Sequence, residues 1–413
     1  SFTTPTLPDD LEIMSRPVSY LHVAVCATDG REHDVQVTVC TADELCLQPK
    51  MQNVAVARTV PLPGTLRAMC LGGIEQPVLG RSGDDIGIDW GYFYLAVDGG
   101  ALHEEKSCGH TFLIAKASLS TAGRTNVLFM FAYDDVYSLK YFGHYLKAYW
   151  KRGGREIEEV IWQAFADYPD IMEKCDAFHE KLERDAKSAG GEKYADLLVL
   201  ALRQVMAAHK LTQDPEGRLL FVSKECRSNG CAATVDVSYP SIPLFLLYNP
   251  SLIEGMLRPV FRYASSEAWP FLFAPHDVGT YPILNGQVYS EGTNIAKQMP
   301  VEECGNMLLM VSAVTAAEKS AEFAAEHRTL LHQWADYLVD FGADPNDQLC
   351  TDDFAGHLAH NCNLSLKTIM ALAAYAEVCD RIQEQKHADH YRRIAREMAS
   401  TWRQQAMNVD GSF

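Results

Sequence analysis

The period of the hydrophobic pattern changes near residue 137, and this change constrains the fold more than any other feature. Before it, short runs alternate apolar and polar side chains, as strands with one buried face do. Strands are predicted at 20–25, 34–39, 66–71, 88–97, 111–117 and 126–132, with Asp29-Gly30 as the turn signal between the first two. Many short strands separated by turn residues predict an antiparallel β-sandwich over residues 1–136.

From residue 137 to 413 the apolar residues recur at three- and four-residue steps, as along one face of a helix. Helices are predicted at 156–168, 171–187, 194–211, 302–318, 329–341, 364–383 and 390–407. Paired helices with long polar inserts predict an α/α toroid, in which inner helices surround one cavity. Twelve helices need roughly 350 residues. We therefore expect either that the chain is a fragment or that its toroid is incomplete.

Charge and composition exclude several classes of partner. A net charge of −18 argues against binding to nucleic acid, which requires a basic surface. No apolar run is long enough for membrane insertion. The twelve cysteines show no repeated C-x-x-C pair, so no structural zinc site is predicted. Cys226 and Cys231 are either a small disulfide loop or free thiols, and the oligomeric state is left open.

Three segments combine ionisable and aromatic residues in patterns that fit neither a regular strand nor a regular helix. Carboxylates and imidazoles beside apolar rings cost free energy unless they are paired, and such loops often carry chemistry. The alternative is three solvated loops with helix-capping acids. The segments 269–282, 299–306 and 351–361 contain Trp269, His276, Asp277 and Tyr281, then Glu302, Glu303 and Asn306, then Asp352, Asp353, His357, His360 and Asn361.

Two adjacent acid pairs each leave a choice open. Pro300 marks the first turn of a helix, where acids favour the positive end of the dipole. Glu302 and Glu303 are about 100° apart on that helix, so one is expected to be a cap and the other a cavity acid. Asp352 and Asp353 pose the same choice. The sequence does not decide either.

The third segment also raises the question of a metal. Asp353, His357 and His360 would share one face if this turn were helical, and could then bind a divalent ion. Gly356 weakens such a helix, so we predict no metal and no cofactor.

Separated carboxylates are what water-mediated hydrolysis requires, since one protonates the leaving group and the other activates water. We predict Glu302, Glu303, Asp352 and Asp353 as catalytic, with the other residues of the three segments and Asp236 binding a small-molecule substrate. Cys304 is discounted as a nucleophile because adjacent acids raise a thiol pKa. Thr351, Thr234 and Ser238 remain candidate nucleophiles. Gly-x-Ser-x-Gly, phosphate-loop and dinucleotide motifs are absent from the sequence.

Six blocks of the sequence resemble the glutaminase A family of fungal secreted and bacterial envelope proteins: 11–20, 88–92, 223–230, 275–279, 299–303 and 351–361. The resemblance implies a β domain followed by an α/α toroid related to six-hairpin glycosidases. It also implies hydrolysis of L-glutamine to L-glutamate and ammonia, and a secreted or periplasmic, cell-envelope location. The chain departs from the family by beginning inside the β domain and ending before the last expected helices.

Three functions therefore remain open. The first is an amidohydrolase acting on free glutamine. The second is an inverting glycoside hydrolase, for which paired carboxylates near Trp269, Tyr281 and Tyr289 would bind a saccharide. The third is a non-catalytic glycan-binding or structural module.

Overall fold

The computed structural model describes residues 1–48, 53–85, 87–351 and 356–412. The chain forms two compact units. The first runs through Ser1–Arg81, Ile86–Ser138 and Lys147–Met206, and the second through Ser82–Asp85, Leu139–Leu146 and Ala207–Phe413. The domain boundary predicted after residue 136 stays a prediction; by compactness, the helices up to Met206 belong with the first unit.

The first unit contains two antiparallel sheets. The six-stranded sheet has the order β1 (Phe2–Thr3), β2 (Val18–Ala24), β9 (Asn126–Asp134), β6 (Tyr92–Asp98), β5 (Leu66–Gly73) and β4 (Ala55–Val60). The three-stranded sheet has the order β3 (Asp34–Ala42), β8 (His110–Ser120) and β7 (Ala101–Ser107). All six predicted strands are present, and the alternation missed β1, β4 and β7. Strand β7 is exposed along nearly its whole length, so it has no apolar face to detect.

The two sheets pack against each other through alternate side chains, which confirms the predicted sandwich. Leu95 and Phe129 of the larger sheet and Leu113 and Leu119 of the smaller one share one buried cluster. Asp29-Gly30 connects strands of different sheets, since β2 pairs with β1 and β9 whereas β3 pairs with β8. The turn signal therefore marks a crossing between sheets and not a hairpin.

Helices cover the other face of the larger sheet, where Tyr94 and Met130 pack with Ile157 and Ile161. The helices of this unit are α1 (Leu11–Ser15), α2 (Ile157–Ala166), α3 (Tyr168–Gly190) and α4 (Glu192–Ala207). The helix predicted at 194–211 was wrong at its end. His209–Gln213 is strand β12, because these residues have a partner strand, β13 (Leu219–Ser223).

The described helices of the second unit pair as consecutive hairpins. They are α5 (Val235–Tyr248) with α6 (Ser251–Ala264), α7 (Pro300–Glu318) with the short α8 (Glu322–Glu326) and α9 (Arg328–Phe341), and α10 (Cys362–Arg381) with α11 (Gln385–Ala406). Helix α7 packs between α5 and α10, while α6, α9 and α11 pack behind them. This layering of inner and outer helices confirms an antiparallel β unit followed by a helical unit of the α/α toroid kind. No helix in the described ranges is long and apolar enough to cross a membrane.

Helices α5 and α6 were not predicted. Prolines usually end helices because they remove a backbone donor, and Pro240, Pro243 and Pro259 lie inside these two. A four-stranded sheet of the same unit has the order β11 (His144–Leu146), β10 (Leu139–Tyr141), β15 (Ile283–Leu284) and β14 (Gly279–Thr280). Its last two strands follow His276 and Asp277 directly and fix the segment that carries them.

Candidate active site

The first turns of the three inner helices meet and bring ionisable side chains together. Asp236 is the second residue of α5, Glu302 and Glu303 are the third and fourth residues of α7, and Lys367 lies in the second turn of α10. The positive ends of helix dipoles favour acids at such positions. His276 joins them from the segment between α6 and α7.

Glu303 is completely buried. Its Oε2 accepts a hydrogen bond of 3.2 Å from Asn306 Nδ2, and among the described residues its Oε1 has no hydrogen-bond partner. Burial, followed by the negative charges of Asp236 and Glu302, raises the pKa of Glu303 well above its ordinary value. The raised pKa favours the protonated form of Glu303, which can act as an acid.

Asp236 is the second carboxyl group with an unpaired oxygen. Its Oδ1 lies 3.6 Å from His276 Nε2 and makes no hydrogen bond to a described residue. Burial raises the pKa of Asp236, the charge of His276 opposes this, and the charges of Glu225 and Glu302 add to it. One carboxylate oxygen of Asp236, one of Glu303 and one ring nitrogen of His276 lie within 4.8 Å of one another.

Asp277 holds His276 in one orientation. The carboxylate oxygens of Asp277 accept hydrogen bonds from the backbone N–H groups of Gly279, Val288 and Tyr289, at 2.9, 3.0 and 3.1 Å. His276 Nδ1 lies 3.1 Å from Asp277 Oδ2 and therefore donates, since an ionised carboxylate only accepts. This leaves His276 Nε2 facing Asp236. Burial opposes protonation of His276, but the bond to Asp277 and the nearby acids outweigh it and raise its pKa.

Glu302 has a different environment from its neighbour. It accepts hydrogen bonds from Lys367 Nζ, from Thr351 Oγ1 at 2.8 Å and from Asn306 Nδ2 at 3.0 Å. Lys367 also donates to Asn306 Oδ1 at 2.8 Å, which fixes the amide orientation. Glu302 is thus a paired anion, whereas Glu303 is a buried acid with one unpaired oxygen.

Trp269 and Tyr281 were also predicted to bind the substrate. The ring of Trp269 packs among Tyr263, Phe271 and Phe273, and its Nε1 donates to the carbonyl of Phe273 at 2.7 Å. The backbone N–H of Tyr281 donates to the carbonyl of Gly230 at 2.9 Å. A substrate-binding role for Trp269 or Tyr281 stays a prediction.

The third predicted segment is only partly described. Asp352 and Asp353 lie outside the described residues, so their catalytic role stays a prediction. His357 is exposed. His360 is also exposed, and its Nδ1 lies 2.7 Å from Asp344 Oδ1. Thr351 reaches the cluster directly, since its Oγ1 lies 3.3 Å from Asp236 Oδ2 as well as near Glu302.

Asn361 caps helix α10. Its Oδ1 accepts from the N–H groups of Asn363 and Leu364, at 3.0 and 3.2 Å. We expect Asn361→Ala to lower the free energy of unfolding by about 1 kcal/mol and to leave turnover unchanged. Chemical denaturation beside an activity assay measures both quantities. A variant of unchanged stability with lost substrate binding would show that Asn361 contacts the substrate, as the sequence predicted.

Lys367 was missed by the sequence analysis. It lies on the buried stripe of α10 formed by Leu364, Thr368 and Ala371. A cation on an apolar helix face needs a buried partner, and this was the available signal. The half-buried ring of Tyr239 lies 4.9 Å from its Nζ, and the half-buried ring of Tyr289 stacks on His276 with centroids 4.0 Å apart.

Two donor sets in this region could hold a metal ion: Asp236, His276 and Glu303, or Cys231, His276 and Asp277. Cys226 and Cys231 are free thiols. Burial raises the pKa of Cys304 and of Cys231, and nearby acids add to it. Both thiols are therefore poor nucleophiles, as the sequence predicted for Cys304.

The second unit matches a family model. Residues 191–413 match the glutaminase A six helical-hairpin domain, and residues 1–118 and 109–185 match a domain of unknown function, DUF5127. Glutaminase A of Aspergillus oryzae is 28% identical over 97% of this chain and 62% of its own length. A protein of Arthroderma benhamiae named "Probable glutaminase" is 26% identical over 65% of this chain and 37% of its own.

A solved structure named as a kojibiose phosphorylase from the human microbiome has a TM-score of 0.48 and 10% identity, over 94% of this chain and 52% of its own. This chain covers 62% of the Aspergillus oryzae protein and 37% of the Arthroderma benhamiae protein, which is less than two thirds of the length of either relative. The six helical-hairpin match covers more than half of the chain, and the chain therefore belongs to the glutaminase A family.

Proposed function

We propose that this protein is a hydrolase that converts L-glutamine into L-glutamate and ammonia. The observation that carries the proposal is the pair of buried carboxyl groups, Asp236 and Glu303, each with an oxygen free of hydrogen bonds to the described residues. Perturbed, buried acids of this kind cluster at catalytic sites. Membership of the glutaminase A family supplies the substrate class.

The proposed step uses one carboxyl group as a base and the other as an acid. Asp236, ionised, takes a proton from a water molecule as the water oxygen bonds to the side-chain carboxamide carbon of glutamine. The C–N bond then breaks, and Glu303 gives its proton to the leaving nitrogen. The products are glutamate and ammonia, and proton exchange with solvent restores both groups.

The remaining residues of the cluster orient these two groups. His276, protonated and held through Nδ1 by Asp277, presents Nε2 beside Asp236 and can stabilise the oxyanion that develops on the substrate. Lys367 donates to Glu302 and Asn306, which leaves the third hydrogen of its ammonium group for the α-carboxylate of the substrate.

Glycoside hydrolysis with inversion is less well supported for the same pair. Its two carboxyl groups stand about 6.5–9.5 Å apart to admit a water molecule, whereas oxygens of Asp236 and Glu303 lie within 4.8 Å. The ring of Trp269, which the saccharide hypothesis requires, is buried among other aromatic rings. Export from the cytoplasm, which the family resemblance implies, is part of the same proposal.

Ammonia release from glutamine, measured beside a panel of aryl glycosides, tests the proposal. We expect the chain to release ammonia from glutamine and Asp236→Asn to lose this activity while remaining folded. Hydrolysis of a glycoside without release of ammonia would replace the proposal with the glycosidase hypothesis. Ligand binding without turnover of either substrate class would instead support a binding module.

The activity should depend on pH through both raised pKa values. As pH falls through the pKa of Asp236, activity is lost because the base becomes protonated. As pH rises through the pKa of Glu303, activity is lost because the acid becomes deprotonated. The one hydroxyl proton of Thr351 is shared between Glu302 Oε1 and Asp236 Oδ2, and its interaction with Asp236 lowers the pKa of that group. We therefore expect Thr351→Ala to move the acidic limb of the kcat/KM profile to higher pH, and Thr351→Ser to restore it. An acidic limb at the same pH in Thr351→Ala would remove Asp236 as the base.

A further inference from the structure

A second cluster of metal-binding side chains lies on the outer helices. His332 lies on α9, Glu384 directly precedes α11, and His387 is the third residue of α11. His332 Nε2 contacts Glu384 Oε2, and His387 Nδ1 lies 3.1 Å from the same oxygen. One donor atom from each of the three side chains lies within 4.8 Å of the others. The proposed hydrolysis uses none of these residues.

A buried tyrosine orients His332. The hydroxyl of Tyr375 lies 3.2 Å from His332 Nδ1. Without an ion, His332 Nε2–H donates to Glu384 and the tyrosine hydroxyl donates to Nδ1. Metal binding through Nε2 uses the other tautomer, in which Nδ1–H donates to the tyrosine oxygen. Histidine ligands of metal ions are commonly held by such a bond through the other ring nitrogen.

We propose that His332, Glu384 and His387 bind a zinc ion. Metal–ligand bonds of about 2.0–2.2 Å place the ligands of a tetrahedral ion about 3.3 Å apart, and His387 Nδ1 and Glu384 Oε2 already lie at 3.1 Å. Two imidazoles and one carboxylate form a common zinc donor set, with water in the fourth position. The side chains of His332, Glu384 and His387 are 18%, 26% and 51% exposed, so an ion can reach them.

The ion would join α9 to α11 and to the connection that precedes it. Since α9 and α11 belong to different hairpins, zinc binding should stabilise the second unit against unfolding. The positive end of the α11 dipole opposes a cation at this point, and the charge of Glu384 offsets it. Zinc would act as a structural ion, since its three ligands have no role in the proposed hydrolysis.

The test is titration of the full chain, stripped with EDTA and desalted, with zinc chloride. We expect zinc to raise the Tm of the wild type and of the control His390→Ala, a variant at a neighbouring α11 histidine outside the cluster. In His387→Ala the Tm rise should disappear and the Kd for zinc should increase at least tenfold. His387 is half exposed, so this variant is expected to fold; His387→Gln, which keeps a polar side chain there, should show the same loss.

Cobalt(II) identifies the donor atoms. Binding at this cluster gives d–d bands without a thiolate charge-transfer band, because its donors are nitrogen and oxygen. A zinc affinity unchanged in His387→Ala, a thiolate band, or binding lost in His276→Ala but retained in His387→Ala would overturn the proposal. None of these readouts uses turnover, so they stand apart from the proposed glutaminase activity.

Discussion

Replacing Glu303 by glutamine should lower kcat by about 10²–10⁴-fold without unfolding the protein. The substitution keeps the shape of the side chain and can preserve one bond to Asn306, which lies 3.2 Å from Glu303 Oε2. It removes the proton that the leaving nitrogen requires. Since Glu303 is completely buried and its pKa is raised well above the ordinary value, a neutral amide should fit without a free energy penalty of charge burial.

A second acid on the same helix provides the control. Glu318 lies at the other end of α7, and burial, followed by the neighbouring Glu254, raises its pKa to about 7. Glu318→Gln should therefore leave turnover unchanged. Steady-state kinetics with glutamine measure kcat of both variants, and thermal unfolding shows whether both are folded. Wild-type kcat in Glu303→Gln would show that another group protonates the leaving nitrogen.

The same variant should change how stability depends on pH. A carboxyl group whose pKa is raised in the folded state stabilises the protein below its unfolded pKa, and this contribution is lost as pH rises through the folded pKa. The folded pKa of Glu303 lies well above its ordinary value. The wild type should therefore lose stability relative to Glu303→Gln with rising pH. Parallel stability curves would mean that Glu303 is already ionised.

The sequence predicted the β-sandwich and most helices because their apolar periods are regular, as in β8 and α9. It missed α5 because Pro240 and Pro243 interrupt the pattern, although tertiary packing holds this segment helical and places Asp236 in the site. The apolar period of a segment indicates its own secondary structure and not which other segments it packs against. The packing of α5, α7 and α10 side by side comes from long-range contacts and was not readable in advance.

In the candidate site, too, local patterns were predicted from the sequence and long-range contacts were not. The segments around His276 and Glu302 were identified from their density of ionisable residues, and the structure brings both together. Helical phase could not separate Glu302 from Glu303, since α7 is buried on nearly all sides. The difference between them comes from Lys367, which lies 65 positions along the chain from Glu302. A partner at that separation leaves no local signal at the glutamate.

The ion pair of Glu302 and Lys367 should matter for stability more than for the proton transfers. Glu302 is almost fully buried and Lys367 mostly so, with side chains 3% and 18% exposed. In Lys367→Met the carboxylate keeps only Thr351 and Asn306 as donors among the described residues. We expect the free energy of unfolding to fall by about 2–3 kcal/mol, somewhat less than for a fully buried pair.

Two controls test whether the lower free energy of unfolding of Lys367→Met comes from the broken ion pair: a variant of a surface ion pair, and a double variant. Arg393→Met, which removes the exposed partner of Glu397 on α11, should cost less than about 1 kcal/mol. Adding Glu302→Gln to Lys367→Met should recover part of the stability, because the buried charge is then removed together with its partner. If the double variant were instead as unstable as the sum of the two single variants, Glu302 and Lys367 would not act as a pair. In that case the distinction between Glu302 as an anchored anion and Glu303 as the acid would lose its physical basis.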